Sequence, residues 1–167
     1  GSTGEGFGLA LGFDANTFIA QVAKVEVDAE TGELKIVQFD VALDPGLAVN
    51  PEAIKHQIEG SIIQSLSAAL REGITFEGGK LTNGTFSQYK PIVMRDAPSI
   101  GVTVLSDPTR PMGGVGEPGV APTLGAVGNA IYDAIGARVF EVPFTPDRIL
   151  AALDNGATAS PEATPAD

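Results

Sequence analysis

The side chain best suited to chemistry is the carboxylate of Glu117, which lies in a glycine-rich run from Gly113 to Gly119. Glycine has no Cβ, so main-chain N–H groups on both sides of this carboxylate can come close to a flat or anionic ligand. Pro118 disfavours helical angles at Glu117 and holds it extended. An ionised carboxylate presented in this way is a candidate general base.

A helix is predicted directly after this run, and Gly136 marks its end. Beyond Pro122 the apolar residues recur at helical spacing; they are Leu124, Val127, Ile131 and Ile135. A helix N-terminus carries partial positive charge. It would therefore attract an anionic ligand and favour negative charge on Glu117.

Two other interpretations of the glycine-rich run compete with this one. Residues 114–119 match the dinucleotide fingerprint G-x-G-x-x-G. That fingerprint needs a strand ending at its first glycine, but residues 106–111 intervene and Pro118 lies within the turn, so we reject the match. The run would otherwise be an ordinary loop with a solvated glutamate, and only its context separates this interpretation from a functional one.

Composition limits the classes of function. The chain has 167 residues, 43% of them hydrophobic, which is enough to fill one domain core. A net charge of -11 argues against a nucleic-acid partner, and no stretch approaches the ~20 apolar residues of a membrane span. The mean hydropathy is positive although 19% of the residues are charged, so part of the apolar surface is expected to contact a partner.

Cysteine is absent, which excludes disulfides, iron–sulfur ligation and thiolate catalysis by this chain. The single histidine, His56, cannot form a metal site alone and gives little support to a Ser-His-Asp triad. We predict no metal ligands among the side chains. Any cofactor would be held by main-chain groups and side-chain amides.

The pattern of elements predicts an α+β fold. Its main features are a long curled β-hairpin, a buried central helix and the glycine-rich loop leading into a second helix. Alternation from Thr17 predicts one strand, and residues 29–32 are predicted to form a turn. In the return strand the hydrophobic phase changes near Ile36, which predicts either a bulge or a change of the covered face there. Residues 1–12 are glycine-rich, and residues 4–8 are predicted to form a loop that packs closely against a neighbouring group.

Shorter elements complete the predicted domain, residues 1–153. They are a hairpin within residues 74–86, strands at residues 100–105 and 139–142, and a last helix from Thr145 to Leu153. Residues 154–167 are rich in Ala, Thr and Pro and are predicted to be a disordered tail.

The central helix is predicted to begin with Asn50 as N-cap and Pro51 in the first turn, and to end at Gly73. Residues 60–70 carry no charge, so the helix is expected to be buried on most sides. One of its faces is small, polar and uncharged; it consists of Gln57, Gly60, Ser61, Gln64 and Ala68. Buried amides need hydrogen-bond partners, so this face is expected to meet either neighbouring main chain or a polar ligand.

Together these segments resemble the C-terminal part of the molybdenum-binding large subunit of the xanthine dehydrogenase and aldehyde oxidase family. The resemblance is greatest to the isoquinoline 1-oxidoreductase and nicotinate dehydrogenase branch. It covers residues 4–153 and rests on five segments: residues 20–28, 50–51, 57–60, 114–117 and 145–150. One departure is Phe7, where family members usually have an arginine, so this segment is not expected to bind the cofactor in the usual way.

The resemblance implies roles for particular residues. Glu117 would be the general base in the hydroxylation of an N-heteroaromatic compound or an aldehyde, with water as the oxygen source. The molybdenum would be held by the dithiolene of molybdopterin, with the cytosine dinucleotide as one form of the cofactor. The main-chain amides of Gly114, Val115 and Gly116 would approach this cofactor. Gln57 would hydrogen-bond its pterin.

The resemblance also implies partners, because large subunits of this family are several times longer than this chain. They are the remaining N-terminal portion of the molybdenum subunit, an iron–sulfur subunit with [2Fe-2S] clusters, and a cytochrome or flavin subunit. The chain would be a soluble part of such a complex, in the periplasm or the cytoplasm, and inactive alone. The alternative is a non-catalytic interaction module of the same fold that binds a partner subunit.

Overall fold

The computed structural model describes residues 3–156 and confirms the α+β class predicted from the sequence. The strands are β1 (Thr3–Asp14), β2 (Thr17–Asp28), β3 (Leu34–Asp44), β4 (Phe76–Glu77), β5 (Lys80–Leu81) and β6 (Ser99–Val104). The helices are α1 (Pro51–Leu70), α2 (Ala121–Ile135) and α3 (Pro146–Gly156). β4 and β5 form a separate small hairpin.

A four-stranded mixed sheet has the order β1-β2-β3-β6. The first three strands are antiparallel, and β6 joins β3 in parallel. β1 and β2 are connected by a tight turn at Ala15 and Asn16, whose φ angles of 48° and 64° suit the right-handed twist of a hairpin. In β3 the register shifts at Val37, next to the change of hydrophobic phase at Ile36.

The prediction that residues 4–8 form a loop is wrong, because they lie within β1. Gly4, Gly6 and Gly8 alternate along this strand and face α2. A Cβ at these positions would lie 2.3, 2.2 and 2.1 Å from carbonyl oxygens of α2, which belong to Ala134, Ala130 and Ala126. These alanines are four residues apart and share one helix face. The glycines therefore allow the backbone of β1 to pack directly against the backbone of α2.

The hydrophobic core lies between the inner face of the sheet and the two long helices. Its largest fully buried apolar side chains come from β3, α1, α2 and α3; they include Phe39, Leu43, Ile58, Ile62, Leu66, Ile131 and Ile149. Burial of these side chains is the main force holding α1 and α2 against the sheet.

Helix α1 begins as predicted, with the Asn50 side chain accepting a hydrogen bond from the Ala53 N–H at 3.1 Å. It ends at Leu70, three residues before the predicted Gly73. The expectation that it is buried on most sides is only partly met. One side is buried, whereas Gln57, Gly60 and Gln64 are exposed on the other. None of the other described residues covers this second side.

Helix α2 ends at Gly136, whose φ of 69° places it in the left-handed region that glycine favours. The strand predicted at residues 139–142 is wrong, since this segment is irregular. Helix α3 continues to Gly156, and the remainder of the predicted tail, residues 157–167, lies outside the described residues. None of the helices within residues 3–156 combines the length and hydropathy needed to cross a membrane.

Candidate functional site

Glu117 lies in the segment between β6 and α2 that we call the glycine loop, residues 113–119. Its carboxylate is exposed and has no hydrogen-bond or ion-pair partner within the described part of the chain. Only its main chain is engaged, with the Glu117 carbonyl accepting from the Val120 N–H at 2.9 Å. The next residue, Pro118, is buried. The carboxylate is therefore free to contact a ligand while its backbone is held.

The start of the glycine loop is bound to the segment after β3 and to the β1–β2 turn. The Gly113 N–H donates to the Pro45 carbonyl and the Gly114 N–H donates to the Ala15 carbonyl, each at 2.7 Å. The hydroxyl of Thr17, fully buried in β2, donates to the Gly114 carbonyl at 2.7 Å. A Cβ at Gly113 would lie 2.4 Å from the Thr17 hydroxyl, so close packing here requires glycine.

The end of the loop is held by a buried polar pair that the sequence did not predict. Gln21 Nε2 donates to the Gly119 carbonyl at 2.8 Å, and the Thr123 hydroxyl lies 2.8 Å from Gln21 Oε1. Both side chains are fully buried. A signal was present in the sequence, because Gln21 shares the inward phase of β2 with Ala23 and Val25. A polar residue in a buried phase needs partners.

Helix α1 contacts the loop at two points. A Cβ on Gly119 would lie 2.1 Å from Ser61 Oγ, so the loop packs directly on the helix. Gln57 Nε2 donates to the Gly116 carbonyl at 3.1 Å. The polar face of α1 was predicted to meet either neighbouring main chain or a polar ligand. Neighbouring main chain accounts for one N–H of Gln57. Its other N–H and its carbonyl oxygen have no partner among residues 3–156.

The middle of the loop keeps unpaired main-chain donors. Within the described residues, the N–H groups of Val115, Gly116 and Glu117 have no acceptor, whereas that of Gly114 is used by Ala15. Of the three predicted amide donors to a cofactor, two are therefore free. A Cβ on Gly116 would meet no atom within 4 Å, which leaves room for close approach. Successive free N–H groups are suited to anionic or carbonyl oxygens.

An apolar groove of about 400 Å³ adjoins the loop. It is lined mainly by side chains from the loop itself, α1 and the segment before α1, including Leu47, Val49, Ile54, Met112 and Val115, with Gln57 as a polar group. A larger concavity of about 810 Å³ lies elsewhere, beside the β2–β3 turn, and includes no residue of the glycine loop. We place the candidate site at the smaller groove because Val115, Gly116 and Gln57 line it; Glu117 does not line the groove itself but directly follows Gly116.

The described side chains do not form a metal centre. Nowhere in residues 3–156 do three His, Asp or Glu side chains converge as a metal site would require. His56 is exposed on α1. A metal at this site would need ligands other than such a cluster, and a metal carried by an organic cofactor meets that condition.

Known proteins are similar to this chain in sequence and in fold. The model of the molybdopterin cofactor-binding domain family matches residues 5–98. One subunit of the nicotinate dehydrogenase of Pseudomonas putida is 38% identical over 157 residues, which cover 90% of this chain and 13% of that protein. The membrane-bound aldehyde dehydrogenase [pyrroloquinoline-quinone] of Gluconacetobacter polyoxogenes is 34% identical over 135 residues, or 81% of this chain and 17% of that protein.

A solved structure agrees with these relatives. Quinoline 2-oxidoreductase of Pseudomonas putida 86 superposes with a TM-score of 0.76 at 28% identity, over 84% of this chain and 19% of that one. The chain therefore spans less than a fifth of the length of each of these three relatives.

Proposed function

Because the chain belongs to the molybdopterin cofactor-binding domain family, we propose that it forms one wall of the active site of a molybdenum hydroxylase. The relatives are named for the oxidation of nicotinate, an aldehyde and quinoline. The proposed substrate is accordingly an N-heteroaromatic compound or an aldehyde, with water as the oxygen source. The observation that carries the proposal is the free carboxylate of Glu117 on a loop fixed at both ends.

In this proposal Glu117 is the general base. The loop backbone is held by Gln21, Thr17 and Gln57, so the carboxylate is positioned without being neutralised by a partner. A base must lie within hydrogen-bond reach of the proton that it removes, and an exposed side chain on a fixed loop can meet this requirement. Glu117 would accept a proton from the attacking water and later release it to solvent.

The residues around Glu117 fit a pterin cofactor. The N–H groups of Val115 and Gly116 and the free amide groups of Gln57 would hydrogen-bond its polar edges, while Gly114 would serve the loop's attachment to Ala15. The open space at Gly116 and Gly60 would admit a flat group against the backbone. When bound, the molybdenum centre supplies the two-electron oxidation.

The remaining components of the enzyme would lie outside the part that this chain covers. They are the N-terminal portion of the molybdenum subunit, an iron–sulfur subunit with [2Fe-2S] clusters, and a cytochrome or flavin subunit that accepts electrons. The chain has too few groups around Glu117 to enclose a substrate, since that carboxylate and the α1 face beside it are exposed. We therefore expect no turnover from this chain alone.

The test is Glu117→Gln in the assembled enzyme, with Glu77→Gln on the exposed β4–β5 hairpin as the matched control. Removal of a positioned base typically lowers the rate by ~10²- to 10⁴-fold. Turnover of nicotinate, quinoline and an aldehyde is measured with an artificial electron acceptor, and molybdenum and pterin are quantified in the same samples. Unchanged turnover in Glu117→Gln with normal metal content would refute the role of Glu117.

The alternative is a non-catalytic module of the same fold that binds a partner subunit. It is favoured by the many large apolar side chains that the chain exposes, among them Leu11 at 74% and Val49 at 74%. Absence of both molybdenum and pterin from the native complex would support this alternative. The same result would exclude the proposed function as part of a molybdenum hydroxylase.

A further inference from the structure

The outer face of the β1–β2 pair is apolar from Phe7 to the β1–β2 turn, and the rest of the described chain does not cover it. We define the outer stripe as its large outward-facing side chains: Phe7, Leu9, Leu11, Phe13, Phe18 and Val22. Leu11 is 74% exposed and Phe13 61% exposed. The inner face of the same strands already packs against α2. The stripe is therefore not part of the core of this chain.

The strand register makes the stripe continuous. Leu9 pairs with Val22 and Phe13 with Phe18, and the last two rings have centroids 4.4 Å apart. The adjacent strand β3 bounds the stripe with polar groups, since Asp44 pairs with Phe18. The solvent face of an antiparallel sheet is ordinarily polar. An apolar stripe with a polar border is typical of a surface that another protein covers.

The exposed edge of β1 is not available for strand addition near the middle of the stripe. The Phe7 N–H donates to Asp133 Oδ2 at 2.9 Å, and Asn129 Nδ2 donates to the Leu9 carbonyl at 2.9 Å. Both α2 side chains thus occupy main-chain groups that an incoming strand would need. The occupant of the stripe must pack against its side chains instead of extending the sheet.

The stripe runs directly into the candidate site. Phe13 and Phe18 flank the β1–β2 turn, whose Ala15 carbonyl binds the glycine loop. The guanidinium of Arg110, which lies shortly before that loop, is 5.9 Å from the centre of the Phe18 ring and pairs with Asp44. A polypeptide that covers the stripe would therefore also reach the structure that holds Glu117.

We propose that the remaining portion of the molybdenum subunit packs on the outer stripe through an apolar surface of its own. This inference rests on the function proposed above. More than four-fifths of each matched relative lies outside the part that this chain covers, which provides a polypeptide of sufficient size. A second copy of the chain is a poorer occupant, because each copy carries a net charge of -11 and like charges repel.

The test uses the absence of native cysteine, so that single-cysteine variants report accessibility. Leu11→Cys probes the stripe, and Thr103→Cys is the control. Both positions lie in one row across the sheet, through the pairs of Ala20 with Leu11 and of Ala42 with Thr103. Maleimide labelling is followed by the mass of this chain, alone and in complex with the remaining portion. We expect Leu11→Cys to react about tenfold or more slowly in the complex, and Thr103→Cys to react equally in both.

A second pair of variants tests the energetics. Leu11→Glu should leave the thermal midpoint of the isolated chain unchanged, because Leu11 is exposed there, and should weaken assembly by about tenfold or more, because a leucine side chain loses its burial. Thr103→Glu adds the same charge to the same face and should leave assembly unchanged.

Equal labelling of Leu11→Cys in both states would overturn the proposal, as would protection of both positions. Slow labelling of the isolated chain together with a dimeric mass would assign the stripe to a second copy. Turnover of Glu117→Gln in the same complex separates the two claims. If Leu11→Cys stays accessible while Glu117→Gln abolishes turnover, the docking surface is wrong and the enzymatic function stands. If Leu11→Cys is protected while Glu117→Gln leaves turnover unaffected, the docking surface stands and the role proposed for Glu117 is wrong.

Discussion

Replacement of Gly60 by alanine should separate the stability of this chain from its function. Gly60 lies within α1, is exposed, and has no atom within 4 Å of the position that a Cβ would occupy. Glycine inside a helix is less stable than alanine by roughly 0.5–1 kcal/mol. The isolated chain should therefore gain about that much stability. For a domain of this size this corresponds to a rise of about 1–4 °C in the thermal midpoint.

The assembled enzyme should respond in the opposite direction. Gly60 is one helical turn from Gln57, whose side chain reaches the glycine loop, so a methyl group there would lie on the face proposed to meet the cofactor. We expect a lower content of molybdenum and pterin in purified Gly60→Ala enzyme. The thermal midpoint is measured by circular dichroism on the isolated chain, and metal and pterin on the complex.

Gly128→Ala is the matched control for this experiment. It makes the same change in α2, where the nearest atom to the new Cβ is a ring carbon of Phe144 at 3.6 Å, an ordinary contact. It should stabilise the chain to a similar extent and leave cofactor content unchanged. A stabilised Gly60→Ala variant with full cofactor content would show that this face of α1 stays open in the enzyme. A destabilised Gly60→Ala variant would show that other atoms lie close to the position of a Cβ at residue 60.

Two further substitutions test the fold and the support of the loop. Gly8→Ala would place a Cβ 2.1 Å from the Ala126 carbonyl oxygen, so α2 must shift. We expect the free energy of unfolding, measured in urea, to fall by about 1–3 kcal/mol. The control Gly116→Ala should leave this free energy unchanged, because its Cβ would meet no atom within 4 Å. Gln21→Leu would remove one of the two donors to the buried Gly119 carbonyl and leave only the Thr123 hydroxyl at 3.0 Å. It should cost about 0.5–1.5 kcal/mol in the same assay and lower turnover in the assembled enzyme. For each of the two variants, a free energy of unfolding equal to that of the unaltered chain would contradict the corresponding argument.

The sequence predicted those elements whose signals are local. Asn50 and Pro51 mark the start of α1 because capping involves only neighbouring residues, and Gly136 ends α2 because glycine tolerates a left-handed backbone. The predicted family is confirmed by the family match and by the relatives. The role of Glu117 as a base remains a prediction.

What the sequence did not predict depends on contacts between distant segments. The glycines of β1 resemble those of a loop, and only the packing of α2 on the strand explains why they alternate. The Gln21–Thr123 pair joins residues that are far apart in sequence, so no local pattern indicates that it fixes the glycine loop. The end of α1 was placed three residues late because Gly73 is the nearest strong helix breaker, whereas the helix already ends at Leu70.

The glycines of the chain distinguish packing from function. Most of those between Gly4 and Gly136 either have an atom closer than 3.4 Å to a Cβ or have a positive φ, so the fold itself accounts for them. Gly73, Gly125 and Gly128 have only ordinary contacts at 3.4–3.7 Å, and between Gly4 and Gly136 Gly60 and Gly116 alone combine an ordinary φ with no atom within 4 Å of a Cβ. Gln57 contacts the loop at Gly116 and lies one helical turn from Gly60. The fold of this chain thus gives no reason for glycine at the two positions on either side of Gln57, next to Glu117. The cause is then expected outside the chain, in a ligand or polypeptide that comes close to the backbone at these positions.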